Sequence, residues 1–288
     1  MRTFCHIGGT LASTLALLAG SACSDDPARS DTAGADTSDA TTADADATSP
    51  DTSETVGGCA TGLSAAMSGT WGMEETQTAL VQVDPFGTMT QVSTSLYLAK
   101  VSGDASQLTL TLCDWQTTDD AGLFTTRMGD TVLQHLDPFV RTLHVAAESD
   151  GTVSLKVPEG IALRGVALDH PATDTLPSEA SDARVIDQDQ DGEPGISLVI
   201  SGTLQGKLYA LHRHRAALDG CFTAADEVSG LTAWQTEQVI LGSNPESLSA
   251  SKPVATTHPD ASLSHFTMVK IDDAADCAAL IAERSSLF

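Results

Sequence analysis

The chain has few basic residues and few aromatic ones. Lys and Arg together number 14 among 288 residues, against 39 Asp and Glu, so the net charge is −25 at pH 7, and aromatics make up 4%. A nucleic-acid-binding protein needs a basic surface for the phosphates, and electrostatic docking on anionic lipid needs one too. We therefore expect no nucleic-acid partner and no membrane binding through surface charge.

Long apolar segments and catalytic signatures are also missing. No apolar run of about 18 residues or more follows the first 25 positions, so the sequence predicts no transmembrane helix. It contains no GxSxG, HExxH, GxGxxG or P-loop motif. Hydrolase, metalloprotease and nucleotide-binding functions therefore gain no support from motifs, and we expect a protein that is not an enzyme.

The N-terminus has the features of a signal peptide. Arg2 precedes an apolar stretch at 7–20, which ends in small residues at Gly20 and Ala22 before Cys23. A Cys directly after such a site resembles the lipobox of bacterial lipoproteins, in which that Cys is lipidated and becomes the new N-terminus. In this sequence Gly20 stands where the family prefers Leu, and plain secretion is the alternative.

The lipoprotein resemblance implies an address as well as an anchor. It implies a signal peptide over residues 1–22 and lipid attachment at Cys23. Ser24, rather than Asp, follows the Cys, which in this family implies sorting to the outer membrane. We therefore expect an exported protein whose membrane partner is reached through an N-terminal lipid.

Residues 23–58 form an acidic, low-complexity segment. Positions 24–58 hold nine acidic residues and one base, Arg29, among Ala, Thr, Ser, Gly and Pro. Such a segment buries too little apolar surface to offset its chain entropy, and like charges extend it. It predicts a disordered tether ahead of the folded part.

Residues 59–288 read as a single β-domain. Apolar residues alternate with polar ones in about nine segments that are bounded by Gly, Pro, Asp and Ser, a pattern typical of an antiparallel sandwich or barrel. The segments are 78–83, 92–101, 107–113, 141–147, 153–157, 196–201, 207–214, 234–241 and 265–271.

The last segment changes its period and predicts a short helix. Asp272 or Asp273 is placed to cap it, and Cys277, Leu280 and Ile281 form one apolar stripe. We expect this helix to pack on an open end or edge of the sheet. The fold class is therefore all-β with a C-terminal helix.

Four cysteines, Cys59, Cys113, Cys221 and Cys277, remain after Cys23. An exported chain with an even number of cysteines is expected to oxidise them, and four cysteines permit three pairings. We favour Cys59–Cys277, which would join the ends of the domain, with Cys113–Cys221 between two strands. No CxxC or closely spaced Cys/His set supports zinc instead.

The segment Asp187 to Gly195 reads DQDQDGEPG. Carboxylates at alternate positions of a tight turn can converge on one centre, and Ca²⁺ takes six to eight oxygen ligands. The DxDxDG pattern resembles the calcium loops of EF-hands and dockerins, and more closely those of FG-GAP-type β repeats, because a strand follows. The resemblance implies Ca²⁺ bound by the side chains of Asp187, Asp189 and Asp191 and by the main chain of Glu193.

The loop departs from the EF-hand pattern at two positions. Gly195 takes the ninth place and Leu198 the twelfth, so two oxygens must come from water or from a distant acid such as Asp182. We therefore expect weak binding, about 10⁻⁴–10⁻³ M, with a structural effect on the long segment at 170–185. A solvated acidic turn is the alternative interpretation.

Two further patterns suggest other sites. His212 and His214 share one strand face in the segment KLYALHRHR, and Arg213 and Arg215 share the other. The histidines could bind a transition metal only with a third ligand, and a strand end with surface ion pairs is the simpler interpretation.

Gly69-Thr70-Trp71, at the start of the first strand, matches the GxW of lipocalins and resembles that family. These are eight-stranded barrels in which the Trp closes one end and a late Arg packs on it, which implies Arg213 or Arg215 here.

The sequence therefore predicts a non-enzymatic outer-membrane or surface lipoprotein, a structural or interaction module with a calcium-stabilised loop. The alternative is a lipocalin-like barrel that carries a small apolar ligand. A carrier needs an unfilled interior, whereas a sandwich fills its core with side chains. The protein or small-molecule partner is not determined by the sequence.

Overall fold

Alternating inward and outward side chains build most of the chain into antiparallel strands. The computed structural model describes residues 58–64, 66–83, 87–249 and 254–288. The predicted signal peptide, Cys23 and the tether up to residue 57 lie outside the described residues. The described part forms twelve strands: Gly69–Val83 (β1), Gly87–Val101 (β2), Gln107–Asp119 (β3), Phe124–Met128 (β4), Phe139–Thr142 (β5), His144–Ala147 (β6), Val153–Arg164 (β7), Ile196–Gly202 (β8), Gly206–Ala224 (β9), Glu227–Asn244 (β10), Val254–Thr257 (β11) and His265–Lys270 (β12).

Eight of these strands form a closed ring. Their order is β1-β2-β3-β4-β8-β9-β10-β12, and β12 pairs back onto β1. Every neighbouring pair is antiparallel, and the ring follows the order of the chain with β5, β6, β7 and β11 added at its edges. The predicted all-β antiparallel fold with a short C-terminal helix is confirmed. The strands β4 and β11 were not predicted.

One part of the wall has no strand ladder. The first half of β3 pairs with β5, and the second half of β9 pairs with β7. β5 lies beside β7, but no pairing joins these two strands in the described part of the chain. We call this boundary the β5/β7 seam.

The interior of the ring is apolar near the start of β1. Trp71 is fully buried, donates from Nε1 to the carbonyl of Met67 over 2.9 Å, and meets Phe222 edge to face at 6.3 Å between ring centroids. Lys270, on the last strand, holds its Nζ 5.9 Å from the Trp71 ring centroid. The cation beside this Trp is therefore Lys270; the expectation of Arg213 or Arg215 was wrong, because both arginines point out of the ring.

The described part contains two α-helices, Asp130–His135 (α1) and Cys277–Leu287 (α2). α2 is the predicted C-terminal helix and begins later than predicted. Its N-cap is Asp276, whose side chain accepts from the amide of Ala279 at 2.9 Å. Asp273 instead accepts from the amide of Thr70, and Asp272 accepts from the amide of Ala274. The prediction of a cap at 272 or 273 was therefore wrong.

The position of α2 also corrects the sequence analysis. The helix packs on the outer face of β2 and β3 rather than on an open end, with Leu280 buried against Leu96 and Leu98. Ile281 is 47% exposed and does not belong to the apolar stripe. No helix in the described ranges is both long and apolar enough to cross a bilayer.

All four domain cysteines form disulfides, but not in the predicted pairs. The pairs are Cys59–Cys221 and Cys113–Cys277. The N-terminal segment runs along the end of β9, where the amide of Ala60 donates to the carbonyl of Phe222, so Cys59 meets β9. Cys113 is the extra residue of a bulge in β3 and lies under the first turn of α2. The disulfides place this part of the chain in an oxidising, exported environment.

Candidate functional site

The Asp-rich loop brings its three aspartates together. One carboxylate oxygen from each of Asp187, Asp189 and Asp191 lies within 4.8 Å of the others. The loop is closed by a bridge between Asp187 and Gly195, in which the amide of Gln188 donates to the Gly195 carbonyl over 3.0 Å. The convergence predicted from the alternating carboxylates is therefore present, whereas the ion remains a proposal.

Gly195 seats this loop on the wall of the ring. Its φ is +89°, and a Cβ added to it would lie 2.4 Å from the carbonyl oxygen of Ala210 in β9. Position 195 therefore has no room for the Asp that calcium loops place there. The loop has no side-chain ligand at its ninth position because the backbones of Gly195 and Ala210 approach too closely for a side chain to fit.

Asp189 is the buried member of the cluster. Its side chain is 2% exposed; one oxygen accepts from the amide of Ser197 at 3.1 Å, and the other has no hydrogen-bond partner. Burial raises the pKa of Asp189, and the neighbouring charges of Asp191 and Asp187 raise it further. The hydrogen bond from the Ser197 amide lowers this pKa but only partly offsets the rise. A buried carboxylate oxygen without a donor is costly unless something neutralises it.

The other members of the loop are exposed and more fully bonded. Asp187 accepts from the amides of Asp191 and Gly192. Burial acts to raise the pKa of Asp191, but hydrogen bonds from the Ser197 hydroxyl and the Glu193 amide outweigh it and hold this pKa below its usual value. The carboxylate of Glu193 is not in the cluster, and its main-chain role stays a prediction.

Asp182 does not supply the missing oxygen. It pairs with Arg184 at 2.8 Å, and hydrogen bonds from the Arg184 side chain and amide lower its pKa to about 2. The suggestion that Asp182 completes the site was therefore wrong, because this acid already has a cation.

A second candidate site was not anticipated. A cavity of about 220 Å³, partly open to solvent, lies at the β5/β7 seam and extends towards the inward-facing residues of the ring. Polar residues from distant parts of the chain line it: Glu75, Tyr97, Asp137, Arg141, Arg164, Gln188 and His214. Its apolar lining comes from Leu110, Leu112, Leu136, Pro138, Phe139, Ile161, Ala162, Leu163 and Ala216, with Gly160 at the seam.

Glu75 is the buried acid of the cavity. It is 3% exposed and accepts a hydrogen bond from Nε2 of Gln77 over 2.9 Å. Burial raises the pKa of Glu75, and the Gln77 hydrogen bond and the charges of Arg141 and Arg164 offset only part of that rise. Burial, with the Glu75 charge, also raises the pKa of Tyr97 to about 12.

Arg141 closes the β5/β7 seam. It is 7% exposed, and its Nη2 donates to the carbonyls of Pro158 and Ala216 at 2.5 Å each. Those carbonyls lie at the bulge between Val157 and Gly160, where the β7–β9 ladder is interrupted. The side chain thus satisfies acceptors that the bulge leaves free, while its Nε is buried without a partner.

The two histidines of the HRHR segment point into the ring. His214 contacts Gln77 and Thr236 through its two ring nitrogens, at 3.3 and 2.8 Å. Burial, together with the charge of Arg164, lowers the pKa of His212 and of His214 to about 3. The interpretation as a strand end leaving the core was wrong for the histidines, although the arginines do form outward ion pairs with Glu237 and Glu159.

A signal for the cavity was present in the sequence. Glu75 and Gln77 share the inward phase of β1 with Trp71, Met73 and Ala79. A charged residue in the apolar phase of a strand indicates a buried polar site. The Asp loop was found because its ligands are neighbours in sequence, whereas the cavity lining spans positions 75 to 216.

Comparison with known proteins adds no relative. No protein-family model, curated protein or solved structure matches this chain. The cavity and the Asp loop are therefore the two sites from which a function can be proposed.

Proposed function

We propose that this chain is an exported binding protein that holds a small ligand inside the ring of strands. The cavity of about 220 Å³ carries this proposal, because small-molecule sites are concave and are lined by side chains from several parts of the chain. At about 30 Å³ per water, it has room for about seven waters or one small organic molecule. Its mixture of apolar walls and a few polar groups is typical of ligand sites.

Binding suits the cavity better than catalysis. A general base works best when its pKa is near the ambient pH, and the pKa of His214 is far below that range. Both of its ring nitrogens already have partners in Gln77 and Thr236. We therefore propose a non-enzymatic protein.

The proposed location is the outer membrane, with a lipid on Cys23. The disulfides support export, and the lipobox-like residues before Cys23 support lipidation. Labelling cells with radioactive palmitate tests the anchor directly. The wild-type chain should take up label and the Cys23→Ala variant should not; equal labelling of both, or of neither, contradicts the anchor.

A calcium-stabilised structural module is the second candidate function. The unpartnered, buried oxygen of Asp189 favours it, because Ca²⁺ would satisfy this oxygen together with oxygens of Asp187 and Asp191. Water or backbone carbonyls would complete the six to eight ligands. The two candidates are compatible, because the Asp loop and the cavity are separate sites in one domain.

Native mass spectrometry of the exported full-length protein tests the binding function. We expect an organic adduct that is present under native conditions and lost on denaturation. The Ala162→Leu variant, which fills the cavity wall, should lose the adduct, whereas Ala146→Leu on the exposed face of β6 should keep it. An adduct that survives in Ala162→Leu contradicts the proposal, as does an adduct-free mass in every sample.

A further inference from the structure

We propose that the ligand of the cavity is a small organic carboxylate whose anionic end lies between Arg141 and Arg164 and whose apolar end lies on the leucine and phenylalanine side. This inference rests on the proposed binding function, since it names the class of ligand for the same cavity.

Arg141 offers a free donor inside the protein. Its Nη2 is committed to Pro158 and Ala216, but its Nε–H is buried and has no acceptor. An arginine remains protonated in a protein, and an unpaired buried N–H next to a positive charge is costly. A carboxylate oxygen at this position would satisfy both the donor and the charge.

Arg164 supplies a second guanidinium to the same cavity. It lies opposite His212 at the end of β7, and its side chain makes no hydrogen bond or ion pair with any described residue. A guanidinium presents its donors in a planar fork that matches the two oxygens of a carboxylate. Arg164 is therefore free to bind the ligand without releasing another group.

The charges within the cavity favour an anion. Two arginines face two acids, and the acids are unequal: Asp137 is exposed at the rim, whereas Glu75 is buried and bonded to Gln77. With Asp137 at the exposed rim, one buried carboxylate stands against two guanidiniums, so the interior has more positive than negative charge. The strongly acidic character of the whole chain has little effect here, because salt screens it over about 10 Å.

The lining identifies an organic anion rather than an inorganic one. Leu110, Leu112, Leu136 and Phe139 form an apolar wall beside the arginines, and inorganic phosphate or sulfate would leave this wall in contact with water. A carboxylate with a short hydrocarbon part covers the wall and uses both arginines. The limited volume excludes long acyl chains.

The arginines outside the ring do not provide such a site. Arg213 is bonded to Glu237 and to the carbonyls of Pro171 and Asp174, and Arg215 is bonded to Glu159 and Ala172. These side chains hold the 166–185 segment on the outside of β9. Their donors are already used.

Saturation-transfer NMR with three matched probes tests this inference. Hexanoate, hexanol and hexylamine differ only in the charge and polarity of one end, and each is titrated against the exported full-length protein at constant ionic strength. We expect hexanoate to bind at least about tenfold more tightly than the other two, because only its carboxylate can accept charged hydrogen bonds from both arginines. Arg164→Gln should weaken hexanoate binding by about tenfold, with the fold checked by its circular dichroism spectrum.

Arg127→Gln is the matched control. This arginine also lies on a strand but points outward, where it pairs with Asp114 at 3.6 Å, so its loss should leave hexanoate binding unchanged. If hexanol or hexylamine binds as tightly as hexanoate, or if Arg164→Gln has no effect, the carboxylate inference is wrong although the cavity still binds. If none of the probes binds but the native adduct is present, the carboxylate inference is wrong and the binding function stands. If the adduct is absent as well, both fail.

Discussion

The main-chain amide of Gly165 donates a hydrogen bond to Oε1 of Gln188 over 2.7 Å. Gln188 stands between Asp187 and Asp189 in the Asp loop, and it also lines the cavity. Gly165 directly follows Arg164, which faces the same cavity. The hydrogen bond thus connects the candidate calcium loop with the cavity wall.

We expect Ca²⁺ to strengthen hexanoate binding because it fixes Gln188, and with it the position of Arg164. Coupling between two sites is commonly worth about fivefold in affinity or more, and it is reciprocal. Titrations with Ca²⁺ and with chelator should therefore differ by about fivefold for the wild type and agree for Gln188→Ala. Equal affinities in the wild type would show that the two sites are independent.

Calcium should also raise the melting temperature. For a dissociation constant of about 10⁻⁴–10⁻³ M, about 10 mM Ca²⁺ stabilises the folded state by about 1.4–2.7 kcal/mol, or about 3–10 °C for a domain of this size. Asp189→Asn should abolish this response. In chelator the variant should melt no lower than the wild type, because it removes a buried charge that stands beside Asp187 and Asp191.

Asp120→Asn is the control for this measurement. Asp120 is exposed in the turn between β3 and β4 and lies outside the Asp loop, so its variant should respond to Ca²⁺ like the wild type. A melting curve that Ca²⁺ does not shift in the wild type would exclude the calcium site at this affinity.

Two glycines with nearly the same φ separate backbone strain from steric clash. Gly87 and Gly195 have φ of +88° and +89°. A Cβ added to Gly87 would have no neighbour within 4 Å, whereas a Cβ added to Gly195 would lie 2.4 Å from the carbonyl oxygen of Ala210. Both alanine variants should lose about 1 kcal/mol of stability to the left-handed backbone. Gly195→Ala should lose at least about 1 kcal/mol more from the clash, as measured by urea unfolding. Equal losses would contradict the close packing of the loop on β9.

Acid should destabilise the domain through its buried histidines. The pKa of His212 is about 3 in the folded state, against 6.5 ordinarily, so below pH 6.5 the unfolded chain takes up a proton that the folded chain excludes. The resulting loss of stability near pH 5 is on the order of 1–2 kcal/mol for this residue. His212→Gln should reduce the fall in melting temperature between pH 7 and pH 5, whereas His144→Gln, on an exposed residue, should not.

Glu75 acts in the opposite direction. Burial raises the pKa of its carboxyl above 4.5 in the folded state, so its contribution to stability is complete below pH 4.5 and is lost as the pH rises through the folded value. The Glu75→Gln variant lacks this opposing effect, so its folding stability should fall more steeply as the pH is lowered. A shallower loss in that variant would mean that the carboxyl is stabilised as the anion.

The sequence predicted the strands wherever the inward residues are apolar. β2, β3, β8 and β9 were all found, β8 to within one residue. The predicted segments 92–101, 107–113 and 207–214 fall short by five residues at the start of β2, six at the end of β3 and ten at the end of β9. For β1, the sequence analysis found the alternation only at 78–83, although it took Gly69-Thr70-Trp71 as the start of the first strand. Glu74 and Glu75 lie between the two, and only Glu75 points inward. Glu74 faces outward and binds Arg284 on α2 at 2.7 Å, a contact that joins residues 210 positions apart.

The missed disulfide pairing and the missed cavity depend on contacts between distant segments. The pairing of Cys113 with Cys277 depends on the bulge in β3 and on the face that α2 covers, and neither is encoded locally. Arg141 lies in a segment that was correctly predicted as β, but its role depends on the β7 bulge at Pro158. The Asp loop needs only its own residues to converge, so its geometry was accessible from the sequence.

The β5/β7 seam has a kinetic consequence. Only the hydrogen bonds of Arg141 to Pro158 and Ala216 cross it in the described part of the chain, beside the packing of Phe139 on Gly160. A movement of these two side chains would therefore widen the opening of the cavity while the ladders of the eight-stranded ring stay intact. The dissociation rate of a ligand would then follow a local fluctuation rather than unfolding. An anion bound to Nε of Arg141 would hold the same side chain in place, so a bound ligand would slow its own release.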